Sequence, residues 1–224
     1  MNIDHFDPMH SYVSHEGTIL AADVAPQGMH EPFEHAYGYL LGSRNMAGHA
    51  HETDEIYIVT EGSGYVVVGG QNRFVTAGDI IAIPPTVWHT QVCTDTCQPP
   101  YTWAALWWPH IEGNEPFGDA IVVTRYDAEK AECVNGVMTH AAVAPQIKCP
   151  FTDAFCHIEA AQKAAYDASA KEVMVMMLEG TAQITVEGET ATVKQGDVIG
   201  VPANAGYAIE GETAVTWAVF AWEV

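Results

Sequence analysis

Sliding the sequence along itself by 118 residues places Pro32, Phe33, Ala36, Glu61, Gly62, Gly70, Gly78, Asp79, Ile81 and Pro84 on Pro150, Phe151, Ala154, Glu179, Gly180, Gly188, Gly196, Asp197, Ile199 and Pro202. One folding unit is therefore used twice, and each segment must suit the same element in both copies. The match continues at both ends with small shifts. VAPQ at 24–27 returns at 143–146, and TWAALWW at 102–108 returns as TWAVFAW at 216–222. The last offset is four shorter because the first copy carries the longer loop CTDTCQPP at 93–100. The turn-rich stretch PHIEGNEPFGD at 109–119 separates the copies, so we expect domains at 1–112 and 113–224.

Within each copy the segments are short, rich in Val, Ile, Thr and aromatics, and punctuated by glycine: EIYIVTEGSGYVVVGGQNRFVTAGDIIAIPP and EVMVMMLEGTAQITVEGETATVKQGDVIGVP. Gly62 to Gly64 and Gly69 to Gly70 read as hairpin turns, where glycine supplies positive φ. Residues 127–137 and 157–168 have a helical composition but no sustained 3.6-residue apolar period, and the repeat aligns the second of them with a strand. The expected class is all-β, a barrel or jelly roll in each copy.

Eight Lys and Arg against 29 Asp and Glu give a net charge of -21, which repels phosphate backbones and anionic lipid. Nucleic acid and membrane surfaces are thus excluded as expected partners. The amino terminus has neither the basic nor the apolar region of a signal peptide, and no apolar run approaches the ~20 residues of a membrane span. We expect a soluble, cytoplasmic protein. Its five cysteines, Cys93, Cys97, Cys133, Cys149 and Cys156, are odd in number and lack CxxC spacing, so free thiols are expected.

The stretch GHAHETDEIYIVTEG at 48–62 carries the chemistry. Read as a strand, it directs His49 and His51 to one face, with Glu55 on the same parity. A Pro-Pro turn then places His89 at the start of another strand. Three imidazoles and a carboxylate suit Fe(II), Mn(II), Zn(II), Ni(II) or Co(II), and on an octahedral ion they leave two positions for substrate. Together these residues resemble the cupin superfamily, whose first motif reads here His49-x-His51-x3-Glu55-x6-Gly62 and whose second reads Gly78-x5-Pro84-x4-His89. The pattern departs from the family at Ser43, Thr86 and Cys93. The resemblance implies two tandem jelly-roll barrels, a bicupin, with one divalent metal per chain, Fe2+ or Mn2+ before Zn2+, Ni2+ or Co2+. It also implies dioxygenase, isomerase or lyase chemistry on a small oxygen-bearing substrate, with a non-catalytic small-molecule binding or sensing module as the alternative.

In the second copy His49, His51, Glu55 and His89 become Asp167, Ser169, Val173 and Tyr207, so no metal is expected there. That copy reads as scaffold, dimer partner or half of a composite interface, which leaves a homodimer open. Strand alternation turns Asn45, Ala47, Tyr57, Val59, Gln91 and Cys93 toward the same interior as the histidines. Glu55, Tyr57 and Gln91 are the catalytic candidates, the last two able to orient a ligand or move a proton, or simply to fill the barrel. Arg44 falls on the opposite parity. Trp88, Trp103, Trp107 and Trp108 read as core or cavity wall, and His5, His10, His15, His30 and His35 as solvated or capping residues, with His30 or His35 able to reach the barrel mouth.

Overall fold

A computed structural model describes residues 1–24, 26–40, 44–93, 101–114 and 121–224, without the Arg44 side chain. The loop at 94–100, with Cys97, and residues 115–119 of the expected linker lie outside the described residues. Each repeat is a jelly roll of two facing sheets, one of seven strands and one of four. The sheets remain separate and do not close into a continuous barrel.

The amino-terminal seven-stranded sheet runs Val122–Thr124, Ile80–Ile83, Asp54–Glu61, Tyr101–Trp108, Glu34–Leu40, Ile19–Ala22, Tyr12–Ser14. It faces Arg44–Asn45, His89–Cys93, Ser63–Val68, Gln71–Thr76. The carboxy-terminal copy repeats this order with Asn2–Asp4, Val198–Val201, Lys171–Glu179, Val215–Glu223, Thr152–Ile158, Val137–His140, Glu132–Val134 against Lys163–Tyr166, Tyr207–Gly211, Thr181–Val186, Glu189–Lys194.

The first strand of each copy is exchanged. Asn2–Asp4 pairs with Val198–Gly200 of the second repeat, and Val122–Thr124 pairs with Ile80–Ala82 of the first. Each exchanged strand is followed directly by a nitrogen-bearing side chain that pins an equivalent aspartate. His5 Nδ1 is 2.8 Å from Asp197, Arg125 Nε is 2.7 Å from Asp79, and each aspartate also caps its own turn through the backbone N–H of Lys194 or Thr76.

Three apolar cores result. One fills the amino-terminal jelly roll around Val59, Val66 and Trp103, and a second fills the carboxy-terminal one around Ile184, Val193 and Trp217. The third lies between the two large sheets. Phe33 and Phe151, mates in the repeat, meet edge to face at 5.4 Å, while Trp222 packs on Phe33 at 5.1 Å and Trp108 on Phe151 at 5.3 Å. This explains the apolar runs IYIV and VMVMML: their strands are covered on both faces, so alternation is lost.

Several turn expectations need correction. Gly62 is a corner with φ 69° that carries the chain from the large sheet to the small one, since Asp54–Glu61 and Ser63–Val68 do not pair with each other, and Gly64 lies inside the second of these strands. Gly69 and Gly70 do form a two-residue hairpin turn, both at positive φ. Residues 127–137, helical in composition, instead contain the hairpin Glu132–Val134 to Val137–His140, because Asn135 and Gly136 take φ 52° and 83°. Residues 157–168 hold the end of Thr152–Ile158, a turn with Ala161 at φ 62°, and the strand Lys163–Tyr166 that the repeat implied. Among the described residues no helix is long and apolar enough to cross a membrane.

Because Phe151 sits at the centre of the aromatic contact between the sheets, Phe151→Ala should cost about 3–5 kcal/mol in denaturant unfolding. Phe74→Ala, at a side chain 45% exposed, should change stability by less than about 0.5 kcal/mol.

Candidate metal centre

Residues 46–53 link the short strand Arg44–Asn45 to Asp54–Glu61. This link is not the regular strand expected: within it only His49 is bridged to a neighbour, His89. Asn45 pairs with Val92 and His49 with His89, so four steps on one chain match three on the other. The extra residue is a bulge that reverses parity. Asn45 is therefore exposed, against expectation, and Met46 turns inward in its place. Gly48 is required here by close approach, since a Cβ would lie 2.1 Å from the Trp88 ring that covers it.

The structure brings His49, His51 and His89 together with ligand atoms all within 4.8 Å of one another. Glu55 enters from the large sheet, its Oε2 2.9 Å from His51 Nε2 and 3.4 Å from His89 Nε2. Each imidazole is held from behind through Nδ1: His89 by the Val87 carbonyl at 2.9 Å, His51 by the Thr53 carbonyl at 3.0 Å, and His49 by the Ala47 carbonyl at 3.4 Å. A proton on Nδ1 leaves a lone pair on Nε2. In that tautomer the His51 and His89 lone pairs face the Glu55 carboxylate and call for a cation between, whereas with no cation bound His51 pairs with Glu55 through a protonated Nε2. His89 Nε2 is buried without a hydrogen-bond partner, so the donor set fits a metal ion better than it fits itself.

Burial and the imidazoles of His89 and His15 push His49 below the ordinary histidine range. Burial lowers His51 too, but its bond and charge interaction with Glu55 leave it raised. Burial raises Glu55, and its bond to His51 with the nearby His89 imidazole outweighs that to hold it below the usual carboxylate value. The Tyr57 hydroxyl is pushed well up by burial and by the Glu55 charge.

Beside the cluster lies a cavity of about 430 Å³, walled by His49, His51, Glu55, Tyr57, Trp103 and Trp107 on the sheet side and by Tyr12, Ser14 and His15 on the amino-terminal side. Val59 and Cys93 face the same interior core, as alternation implied. Gln91 is buried, accepts from the Tyr101 hydroxyl, and stands behind the cavity wall. Trp108 belongs to the core between the large sheets, and Trp88 is 48% exposed. His30 binds Glu172 and His35 accepts from the Val24 N–H, so neither reaches the cavity. The residue that sequence reasoning missed is His15, whose ring packs 4.9 Å from that of His49. Its only signal was membership of the amino-terminal histidine group, and no local spacing tied it to the motif.

The model of the cupin domain matches residues 41–98, the stretch that holds all four converging side chains. Both repeats have the cupin fold. The chain overlays salicylate 1,2-dioxygenase from Pseudoaminobacter salicylatoxidans, in a tryptophan-to-tyrosine variant complexed with gentisate, with a TM-score of 0.73 at 18% identity over 95% of this chain and 76% of that one. It also overlays protein Ylba from E. coli, with a TM-score of 0.70 at 14% identity over 98% and 90%. No curated protein matches this sequence. In the carboxy-terminal cupin repeat Tyr207 is buried at the place of His89 and stacks on Tyr166 at 4.5 Å.

The Glu55 contribution to stability is present above the ordinary carboxyl value of 4.5 and is lost as pH falls through its lower folded value. The His51 contribution is present below the ordinary imidazole value of 6.5 and is lost as pH rises through its raised value. In chelator-treated protein the destabilisation caused by Glu55→Gln should therefore peak between pH 4.5 and 6.5 and shrink on both sides. Thermal unfolding across pH measures it, and a gap independent of pH would contradict the pairing.

Proposed function

We propose that the amino-terminal repeat, within a division of the chain at 1–112 and 113–224, binds one divalent transition metal through His49, His51, Glu55 and His89. Fe(II) or Mn(II) are the favoured ions, ahead of Zn(II), Ni(II) and Co(II), because imidazole with a carboxylate is an intermediate donor set. The observation that carries this reading is the set of Nδ1-anchored imidazoles whose lone pairs converge on a carboxylate. When bound, the metal supplies Lewis-acid polarisation and coordination places for oxygen donors.

The activity that fits is a dioxygenase or an isomerase/lyase type of reaction on a small oxygen-bearing molecule. The chain's own residues divide that work. Trp103 and Trp107 give the cavity an aromatic wall for an apolar ligand body. The Tyr57 hydroxyl, kept protonated by burial beside Glu55, is a donor for a ligand oxygen. Gln91 is a positioning residue, acting through Tyr101. The carboxy-terminal repeat serves as scaffold or as a surface for a homodimer. A cytoplasmic setting suits an exposed free thiol such as Cys133. Non-catalytic binding of a small effector is the second reading, favoured by a carboxy-terminal repeat that keeps the fold after losing His, His, Glu and His.

Elemental analysis of tag-free protein purified without chelator should give about one metal per chain, lost in His51→Ala. Glu55→Gln should keep the fold and lose turnover by about a hundredfold or more against candidate oxygen-bearing substrates, read by oxygen uptake or substrate loss. A ligand that raises the melting temperature yet is never consumed would move the assignment to the binding module.

A further inference from the structure

His15 is held at the cavity by a device of its own. His15, Glu16 and Gly17 take φ 48°, 57° and 84°, a left-handed run that costs energy at the two residues bearing a Cβ. The Thr18 hydroxyl locks the run by donating to the His15 carbonyl at 2.5 Å, and it accepts from the Ala47 N–H at 2.8 Å. The turn is thus tied to the segment that delivers His49 and His51. Strain kept in place by such a clasp, with the imidazole as its product, marks a residue whose position is used.

The imidazole lines the cavity and lies against the His49 ring. Ser14 Oγ is 3.1 Å from its Nδ1, and among the described residues no other group bonds the ring. We assign the serine hydroxyl as the donor to Nδ1, the tautomer in which Nε2 carries the proton and can donate into the cavity. We propose that His15 is a ligand-positioning residue of this site, donating from Nε2 to an oxygen of a planar oxygen chelator held beside the His49 ring. The ligand class follows from the walls and the proposed ion together: Trp103 and Trp107 suit a flat apolar body, and two open coordination positions suit two oxygens. This inference rests on the proposed metal-binding reading.

The test uses full-length protein loaded with Mn(II) and titrated anaerobically with catechol by calorimetry. His15→Phe keeps a packed ring without a donor, and His15→Gln keeps a donor of similar reach. We expect unchanged metal content and melting temperature in both, catechol affinity lowered about tenfold in His15→Phe, and most of it restored in His15→Gln. Equal affinity in all three proteins, equal weakening in the two variants, or no catechol binding by metal-loaded wild type overturns the role of His15 while leaving the metal site standing. Loss of metal from His15→Phe alone overturns it in favour of a part in holding His49. A wild-type chain that takes up no Mn(II) and no other divalent ion overturns both readings.

Discussion

The edge-to-face cluster of Phe33, Phe151, Trp108 and Trp222 is the contact on which the molecule depends. A jelly roll of this size has two apolar faces on its large sheet, one turned to its own interior and one turned out. Left in water, the outer face would be an exposed patch of several hundred Å². Two copies placed face to face cover each other. The contact also follows the repeat: Phe33 meets its own counterpart Phe151, and Trp108 and Trp222 take reciprocal places beside them. A duplicated chain thus satisfies with itself what a single copy would need a partner to satisfy.

That shared core frees the interiors to diverge. In the carboxy-terminal repeat, Tyr166 stands at the position of Gly48 and Tyr207 at that of His89, and the two rings stack where the other copy has imidazoles. Val173 and Val175 replace Glu55 and Tyr57 and join an apolar interior. Filling the space with side chains removes the desolvation cost of a buried carboxylate, so this repeat has nothing to balance. The amino-terminal repeat keeps Glu55 buried against three imidazoles and leaves a cavity beside them. One copy carries the packing and the other is able to carry strain and charge.

What the sequence made legible followed from periodicity and from the repeat. The all-β class, the equivalent strands and the convergence of His49, His51, Glu55 and His89 were readable because spacing on adjacent strands fixes which side chains meet. The metal these four residues imply remains a proposal. Three features were not readable, each for a physical reason. The bulge between Asn45 and His49 is a single extra residue that no alternation rule locates, and it exchanged Asn45 for Met46 at the interior. The corner at Gly62 has the same composition as a hairpin turn, and only the pairing of the strands on either side distinguishes the two. The place of His15 depends on contacts 29 and 34 residues apart in sequence, through Thr18 to Ala47 and through its ring to His49.

The strand exchange gives the carboxy-terminal repeat a physical bearing on a site it does not contain. Asn2–Asp4 is paired into the carboxy-terminal sheet, and His5 ties it there through Asp197. From that anchor the chain returns to the amino-terminal repeat, where Tyr12–Ser14 forms the edge strand beside Ile19–Ala22 and the left-handed turn sets His15 over the cavity. One wall of the cavity is therefore strung between the two repeats. Its far end is fixed by a histidine and an aspartate, whereas the equivalent exchanged strand, Val122–Thr124, is fixed by Arg125 on Asp79. The permanently charged guanidinium holds the strand that leads into the scaffold repeat, and the imidazole holds the strand that leads to the cavity wall. The wall that carries His15 is thereby anchored in the repeat that lacks the four converging side chains, so the packing of one copy bears on the site of the other.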